Sequence, residues 1–311
     1  MDIQNEPVLN DNVYVFTPSP QTLRPWSEIS TLSDDDLFEL FWESGRRLGK
    51  QAWLSSDILV RQIASDAVMK VGDFADNEAR AMHLVRKTTN ILIPSVRRTL
   101  STGPNGKDGA FIMDFVPGHT LEERWPMLNL WRRIRTIWTL RQYIRQLRRV
   151  RIHSRNNEDI FPGPIASQPQ ECQGPMFTEV GAGPFASYAD LTAWFMHKLE
   201  VNRLVKKHPM EPLTFDDSLP LVLTHLDIHP GNIILDSDDH VWLVDWEYAG
   251  FYPQWFEFAV MLQQWSLPGS PEWGRFGRWT RWMIGLIAGF YAKQARFIQS
   301  ISWAINTGYM M

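Results

Sequence analysis

Short apolar runs broken by polar clusters fill the first part of the chain, and long apolar stripes at helical spacing fill most of the second. Residues 1 to about 32 read as a loose lead-in, because Pro18, Pro20 and Pro25 interrupt any regular element. A helix then begins at Ser33, which forms with Asp36 an S-x-x-D capping signal, while Asp34 and Asp35 complement the helix dipole. Its inner face is Leu37, Leu40, Phe41 and Leu48, with Arg46, Arg47 and Lys50 at the far end. Ile58–Ile63 and Ala67–Val71 alternate as two strands joined by the turn Ala64-Ser65-Asp66, and Asn77–Val85 has helical composition. Ile93-Pro94-Ser95-Val96 leads into another strand, Ser101–Gly109 forms a hairpin loop, and Ala110–Val116 returns as a strand that Pro117-Gly118 stops.

Beyond Pro117 the spacing changes. Leu130, Ile134, Ile137, Leu140, Ile144 and Leu147 recur at three- and four-residue steps, one buried face of a helix over 130–150, and seven arginines between Arg132 and Arg149 occupy its other sides as a solvated exterior. Residues 155–187, rich in Gly, Pro, Asn and Gln, predict a long connection with little regular structure and a candidate substrate lid. Tyr188–Lys207 is helical, with Leu191, Trp194, Phe195 and Leu199 as its apolar side. Three short buried strands follow, at Leu221–Leu223, Ile233–Leu235 and Val241–Val244, and then helices to Met311 whose many aromatic rings are expected mostly in the core.

The chemistry concentrates between those three strands. The run His225-Leu226-Asp227-Ile228-His229-Pro230-Gly231-Asn232 lies between the first and second, and the third delivers Asp245 at its end. Magnesium prefers hard oxygen donors, and one carboxylate and one amide carbonyl, completed by nucleotide phosphates, suffice for it. Asp245 and Asn232 fit those roles. A second carboxylate, free of metal, is wanted beside an acceptor hydroxyl to take its proton, and Asp227 fits. The order H-x-D-x-x-x-x-N, then an Asp after an apolar strand, matches the catalytic and metal loops of kinases, although Trp246-Glu247 follows here instead of Phe-Gly. His229 reads as structural. Upstream, Lys70 is a cation inside an apolar strand and Glu78 stands near a helix start. An anion there could hold the ammonium toward phosphates, but the same pair also reads as a snorkelling lysine and a routine helix glutamate.

The run HLDIHPGNIILD…VWLVDWEYAGFYPQWFEFA resembles the aminoglycoside phosphotransferase and choline kinase-like family, especially its fungal small-molecule kinase branch. The resemblance implies an α+β, bilobed protein kinase-like fold, with a small antiparallel-sheet nucleotide lobe over residues 1–116 and a larger helical catalytic and substrate lobe over 117–311. It implies Asp227 as the catalytic residue, His225 as a brace of its loop, Asn232 and Asp245 on Mg2+, and Lys70 with Glu78 at the phosphates of ATP. By the same resemblance, Asp114 to Val116 meet the adenine through backbone groups, Met113 lines that pocket, and Glu257 braces the catalytic loop. Glu247, beside the metal Asp, reads equally as a metal helper and as a turn cap. The function implied is transfer of the γ-phosphoryl group of ATP to a hydroxyl of a small molecule. The turn at Ala64-Ser65-Asp66 lacks the G-x-G-x-x-G of protein kinases, as the family often does. That gap and the altered Trp246-Glu247 motivate a different reading, a catalytically degenerate nucleotide-binding or scaffold pseudokinase. The family places its acceptor pocket in the C-terminal region. No concentration of acids appears there, which argues against a polycationic aminoglycoside substrate.

Composition narrows the partners. With 311 residues, 44% of them hydrophobic, the chain can bury a large core. A net charge of −4 leaves no electrostatic footprint for nucleic acid. One cysteine, Cys172, suits a reducing compartment, and the polar N-terminus lacks the order of a signal peptide. The apolar stretch Trp282–Ala292, interrupted by Lys293 and Arg296, is too short to span a membrane. A soluble cytoplasmic protein is expected.

Overall fold

The computed structural model describes residues 23–43, 45–47, 59–100, 109–151, 160–206, 213–265 and 277–306. The expectations for residues 1–22 of the lead-in, Leu48, Lys50, Ile58, the 101–108 part of the hairpin loop, the 155–159 part of the long connection, Lys207 and Trp273 lie outside those residues. The described end of the lead-in, residues 23–32, holds regular structure: Trp26–Ile29 forms a short helix (α1), and Trp26 N donates to Asp66 Oδ1 at 2.7 Å, tying it to the turn ahead. Helix α2, Asp34–Glu43, starts as expected, with the Ser33 hydroxyl and Asp36 carboxylate capping each other's backbone N–H groups. It stops earlier than the sequence pattern indicates. Gly45 N donates to Leu40 O at 3.1 Å, and a Cβ on Gly45 would meet Phe41 O at 2.8 Å and Arg61 Cβ at 2.9 Å. Glycine alone permits that approach, and the chain then leaves the helix. Arg46 and Arg47 consequently form a strand (β1) and not a helix end.

Strands β2 (Leu59–Ala64), β3 (Ala67–Gly72), β4 (Val96–Leu100) and β5 (Gly109–Asp114) complete an antiparallel sheet of order β1-β2-β3-β5-β4. Period-two alternation divides its side chains between two cores. Ala67, Met69, Val71, Ala110 and Ile112 pack with Leu37, Phe38 and Phe41 of α2. Val68, Phe111 and Met113 face the other way, toward helix α3 (Ala75–Thr88) and the rest of the chain. Lys70, two residues from Val68, shares that second face, which sets it up for contacts far along the sequence.

After β5 come β6 (His119–Thr120) and the short α4 (Leu121–Arg124), closed by a capping box between Thr120 and Glu123. Helix α5, Leu130–Leu147, is capped by Asn129 Oδ1, which accepts from Arg132 N at 2.9 Å. Its C-terminal half buries Leu140, Ile144 and Leu147 as expected, but Leu130 and Ile134 are exposed: the apolar stripe outruns the core that covers it. The segment 160–187 is irregular, as expected, yet it does not hang free as a lid. Strand β7 (Gly163–Pro164) pairs with β11 (Gly250–Pro253), and Cys172, Met176, Phe177 and Phe185 are buried beneath helices α6 (Tyr188–Lys206), α7 (Phe256–Gln264) and α9 (Ala292–Asn306). Apolar residues hidden among the segment's glycines and prolines fix it in place.

Strand β8 (Leu221–Thr224) completes the β7-β11-β8 sheet, and β9 (Ile233–Leu235) and β10 (Val241–Leu243) form a hairpin joined by β6. Helix α8, Gly277–Ala288, packs beside α5. The aromatic tail divides. Trp265 and Phe297 are buried, whereas Trp279, Trp282 and Phe290 are exposed, contrary to the expected core placement. No helix among the described residues is long and apolar enough to cross a membrane.

Phe195 is fully buried in a ring cluster, 4.8 Å from the centroids of Phe215 and Trp194 and 5.6 Å from Phe256. Phe195→Ala is expected to destabilise the protein by about 3–5 kcal/mol, since it leaves a cavity among rings that cannot collapse into it. A chemical denaturation midpoint within error of wild type would show that these helices are not held by the cluster.

Candidate active site

Four backbone elements converge on one cleft. Strand β3 supplies Lys70, the first turn of α3 supplies Glu78, the loop after β8 supplies Asp227 and Asn232, and the end of β10 supplies Asp245. Lys70 Nζ lies 2.5 Å from Asp245 Oδ1, 2.7 Å from Glu78 Oε2 and 3.0 Å from Glu247 Oε2. Burial pulls the pKa of this ammonium down; the three carboxylates outweigh it and hold it well above the usual lysine value. The acids respond differently. Burial, with the neighbouring acids, pushes Glu78 up to about 7 against the pull of Lys70, and burial also raises Glu247. Asp245, 35% exposed, stays below its ordinary value because Lys70 overcomes its desolvation. Glu247 is therefore a partner of Lys70, a role that neither reading of it by sequence anticipated.

Further bonds fix the ends of this cluster. Glu78 Oε1 accepts from Trp246 N at 3.1 Å. Asn77 Nδ2 donates to the carbonyls of Glu247 (2.8 Å) and Ala249 (3.2 Å), while its Oδ1 accepts from Ile165 N. The sequence carries no signal for Asn77, because all three partners lie roughly ninety or more residues away along the chain.

The loop from His225 to Asn232 is held from below. Glu257 Oε2 accepts from His225 N at 2.9 Å, and burial pushes this carboxyl up to about 7. Burial lowers His225 to about 4, so the imidazole is neutral and its Nε2–H donates to Val244 O at 3.1 Å. That bond ties the loop to the residue preceding Asp245. Leu226 and Asp245 both adopt left-handed backbone, φ +65° and +68°. Each costs of order 1–3 kcal/mol and persists only where surrounding contacts over-determine it.

Asp227 is enclosed. Asn232 Nδ2 donates to its Oδ2 at 2.7 Å, Gln264 Nε2 donates to its Oδ1, and His229 Nε2 lies 3.8 Å from Oδ2. Burial first, and the Asp245 charge second, raise it to about 7, the range in which a carboxylate can exchange a proton at neutral pH. Gln264 and His229 are contacts that sequence reasoning missed or set aside. Gln264 ends a helix 37 residues away and belongs to no motif.

The cleft, about 250 Å³, is lined by Lys70, Glu78, Met113, Asp114, Val116, Asn232 and Asp245 among others. Lys70, Glu78, Met113, Asp114, Val116, Asn232 and Asp245, all singled out by sequence, thus share one cavity; Asp227 reaches it through Asn232, and His225 lies beneath Val244. Asp114 contributes backbone only. Its carboxylate is turned to Ser95 N (2.9 Å) and Arg97 Nε (2.7 Å). A divalent cation suits this donor set. The Asn232 amide nitrogen is spent on Asp227, its carbonyl oxygen has no partner among the described residues, and Lys70 engages only one oxygen of Asp245. Glu78, Asp245 and Glu247 also stand close enough to share an ion, but the Lys70 ammonium already occupies the point between them.

The fold defined by this sheet, cleft and helical region is that of the kinase-like phosphotransferases. Aminoglycoside 2'-phosphotransferase-IIIa in its GDP complex superposes with a TM-score of 0.53 at 12% identity, covering 90% of this chain and 85% of that one. A GDP and kanamycin complex of APH(2") type gives 0.50 at 13% identity, covering 85% and 82%. Spectinomycin phosphotransferase APH(9)-Ia, with ADP and spectinomycin, gives 0.49 at 13% identity, covering 87% and 84%. No curated protein sequence matches the chain. The model of the phosphotransferase enzyme family matches residues 59–277, and the chain belongs to that family.

The raised pKa of Glu257 has a consequence for stability. The unfolded chain releases this proton near its ordinary value of 4.5 and the folded protein near 7, so its contribution to stability is complete below 4.5 and is lost as pH rises toward 7. Glu257→Gln, which keeps a carbonyl acceptor for His225 N, is expected to flatten that loss. The melting temperature of the variant relative to wild type should climb between pH 4.5 and 7. A difference independent of pH would show that Glu257 is ionised throughout.

Proposed function

We propose that the protein transfers the γ-phosphoryl group of ATP to a hydroxyl of a small molecule, with Mg2+ bound by Asn232 and Asp245 and Asp227 as the base. Residues 1–116 form the nucleotide lobe and 117–311 the catalytic and acceptor lobe. The observation that carries this reading is the Asn232 side chain. Its nitrogen orients Asp227 at 2.7 Å while its oxygen is left for a cation at the cleft, so base and metal ligand are set by one amide. Asp227 accepts the hydroxyl proton as the acceptor oxygen bonds to the γ-phosphorus and the bridging P–O bond breaks to release ADP. Lys70 binds phosphate oxygens, drawn from its carboxylates toward the stronger anion, and Glu78 holds it forward. Backbone groups of Asp114 and Val116 take the adenine against Met113. Bound Mg2+ supplies charge neutralisation at the phosphates. The GDP of the similar solved structure supports nucleotide use.

One observation favours the scaffold reading. Lys70 meets three carboxylates within 3.0 Å, and Glu247 competes with any phosphate for it. Melting temperatures with and without Mg2+ and ATP discriminate the two. Ligand at 100 times Kd stabilises by about 2.7 kcal/mol, and the resulting rise is expected in wild type and lost in Asp245→Ala. Asp227→Asn should keep the rise but lower ADP release across a panel of hydroxyl acceptors by roughly 10²–10⁴-fold. A folded wild type with no rise at saturating ATP would assign the protein to the scaffold class.

A further inference from the structure

We propose that the groove between α5 and α8 binds a single-chain amphiphile with an anionic head, a long-chain carboxylate being the simplest example. The groove encloses about 900 Å³ and shares no lining residue with the nucleotide cleft. That volume lies within the range of small-molecule sites. Its walls are apolar: Ile134, Ile137 and Trp138 from α5 face Trp282, Met283 and Phe290 from α8 and its end. Trp279, Trp282 and Phe290 are 70%, 53% and 62% exposed, and large rings left so open at one place mark an interaction site.

Charge selects the occupant. Arg133, Arg141 and Arg145 line the groove, and among the described residues no carboxylate does. Arg133 donates to the carbonyls of Trp125 and Pro126, and Arg141 to that of Leu286, so both guanidinium groups are held in place without being neutralised. Arg133 Nε is buried with no hydrogen-bond partner among the described residues. Arg145 is exposed at the rim. Among the described residues, none of the three arginines forms an ion pair. Apolar walls with uncompensated guanidinium groups complement a chain that ends in a carboxylate. A second copy docked here by two-fold symmetry would set these arginines against their own equivalents. A bilayer surface is met by protruding side chains, whereas these rings wall a concavity.

Isothermal titration of the full chain with submicellar sodium laurate tests the assignment, with dodecyltrimethylammonium as a cation of equal chain length. One saturable laurate site per chain is expected, with the cation bound at least tenfold more weakly. Arg145→Glu should weaken laurate about tenfold, and Trp282→Ala should weaken both amphiphiles. Each variant changes an exposed side chain, and unchanged circular dichroism checks that it folds. Equal affinity for the two amphiphiles, or affinity untouched by both variants, overturns the proposal. So does association with phosphatidylserine vesicles without binding of free laurate, which would assign a membrane, or a sedimenting dimer that Trp282→Ala dissolves, which would assign a second copy.

Discussion

A single ammonium group joins the distant parts of this molecule. Lys70 comes from the sheet, Glu78 from α3, and Asp245 and Glu247 from a turn some 175 residues later, and all four meet within 3.0 Å. A buried charge without partners is too costly to keep, so folding either assembles this set or leaves a lysine stranded against Val68 and Met113. The gain is geometric as much as energetic. Removing one partner of a buried pair costs about 3–5 kcal/mol, which penalises any arrangement that separates the sheet from the turn carrying Asp245. Strain at that turn, with Asp245 in left-handed backbone, is offset by the same contacts.

The loop that carries Asp227 is organised by a different principle. Burial sets the state of its supports: His225 is a neutral imidazole, and Glu257 has its proton affinity raised. Burial and the Asp245 charge together raise Asp227 above this support.

What could be read beforehand follows the locality of the signal. The spacing from His225 to Asn232, with short strands on either side, is local, and it named the loop, Asp245 and their mutual approach. Lys70 stood out as a charge within an apolar strand, but its reading stayed ambiguous without the family resemblance. The end of α2 was misread because Gly45 acts through a close approach to Arg61, a residue in another element. Asn77, Gln264 and the Lys70 contact of Glu247 were invisible for the same reason: each bond spans dozens of residues and involves side chains ordinary for their positions. The α5 stripe showed the converse. Its periodicity was genuine, yet periodicity records which face is apolar and not how much of that face the protein covers.

The division of the sheet into two faces has an evolutionary corollary. Lys70 reaches the cleft because it shares the parity of Val68, while Met69 and Val71 point into the core beneath α2. Shifting β3 by one position against its neighbours reverses every side chain. A single residue inserted or deleted just ahead of Met69 would drive the ammonium into an apolar core and present Met69 or Val71, respectively, to the carboxylates. Lineages descended from this chain can therefore lengthen or shorten that stretch only in pairs, unless a bulge restores the phase. Such a bulge is already present where β2 pairs with β3 between Gln62 and Ala64.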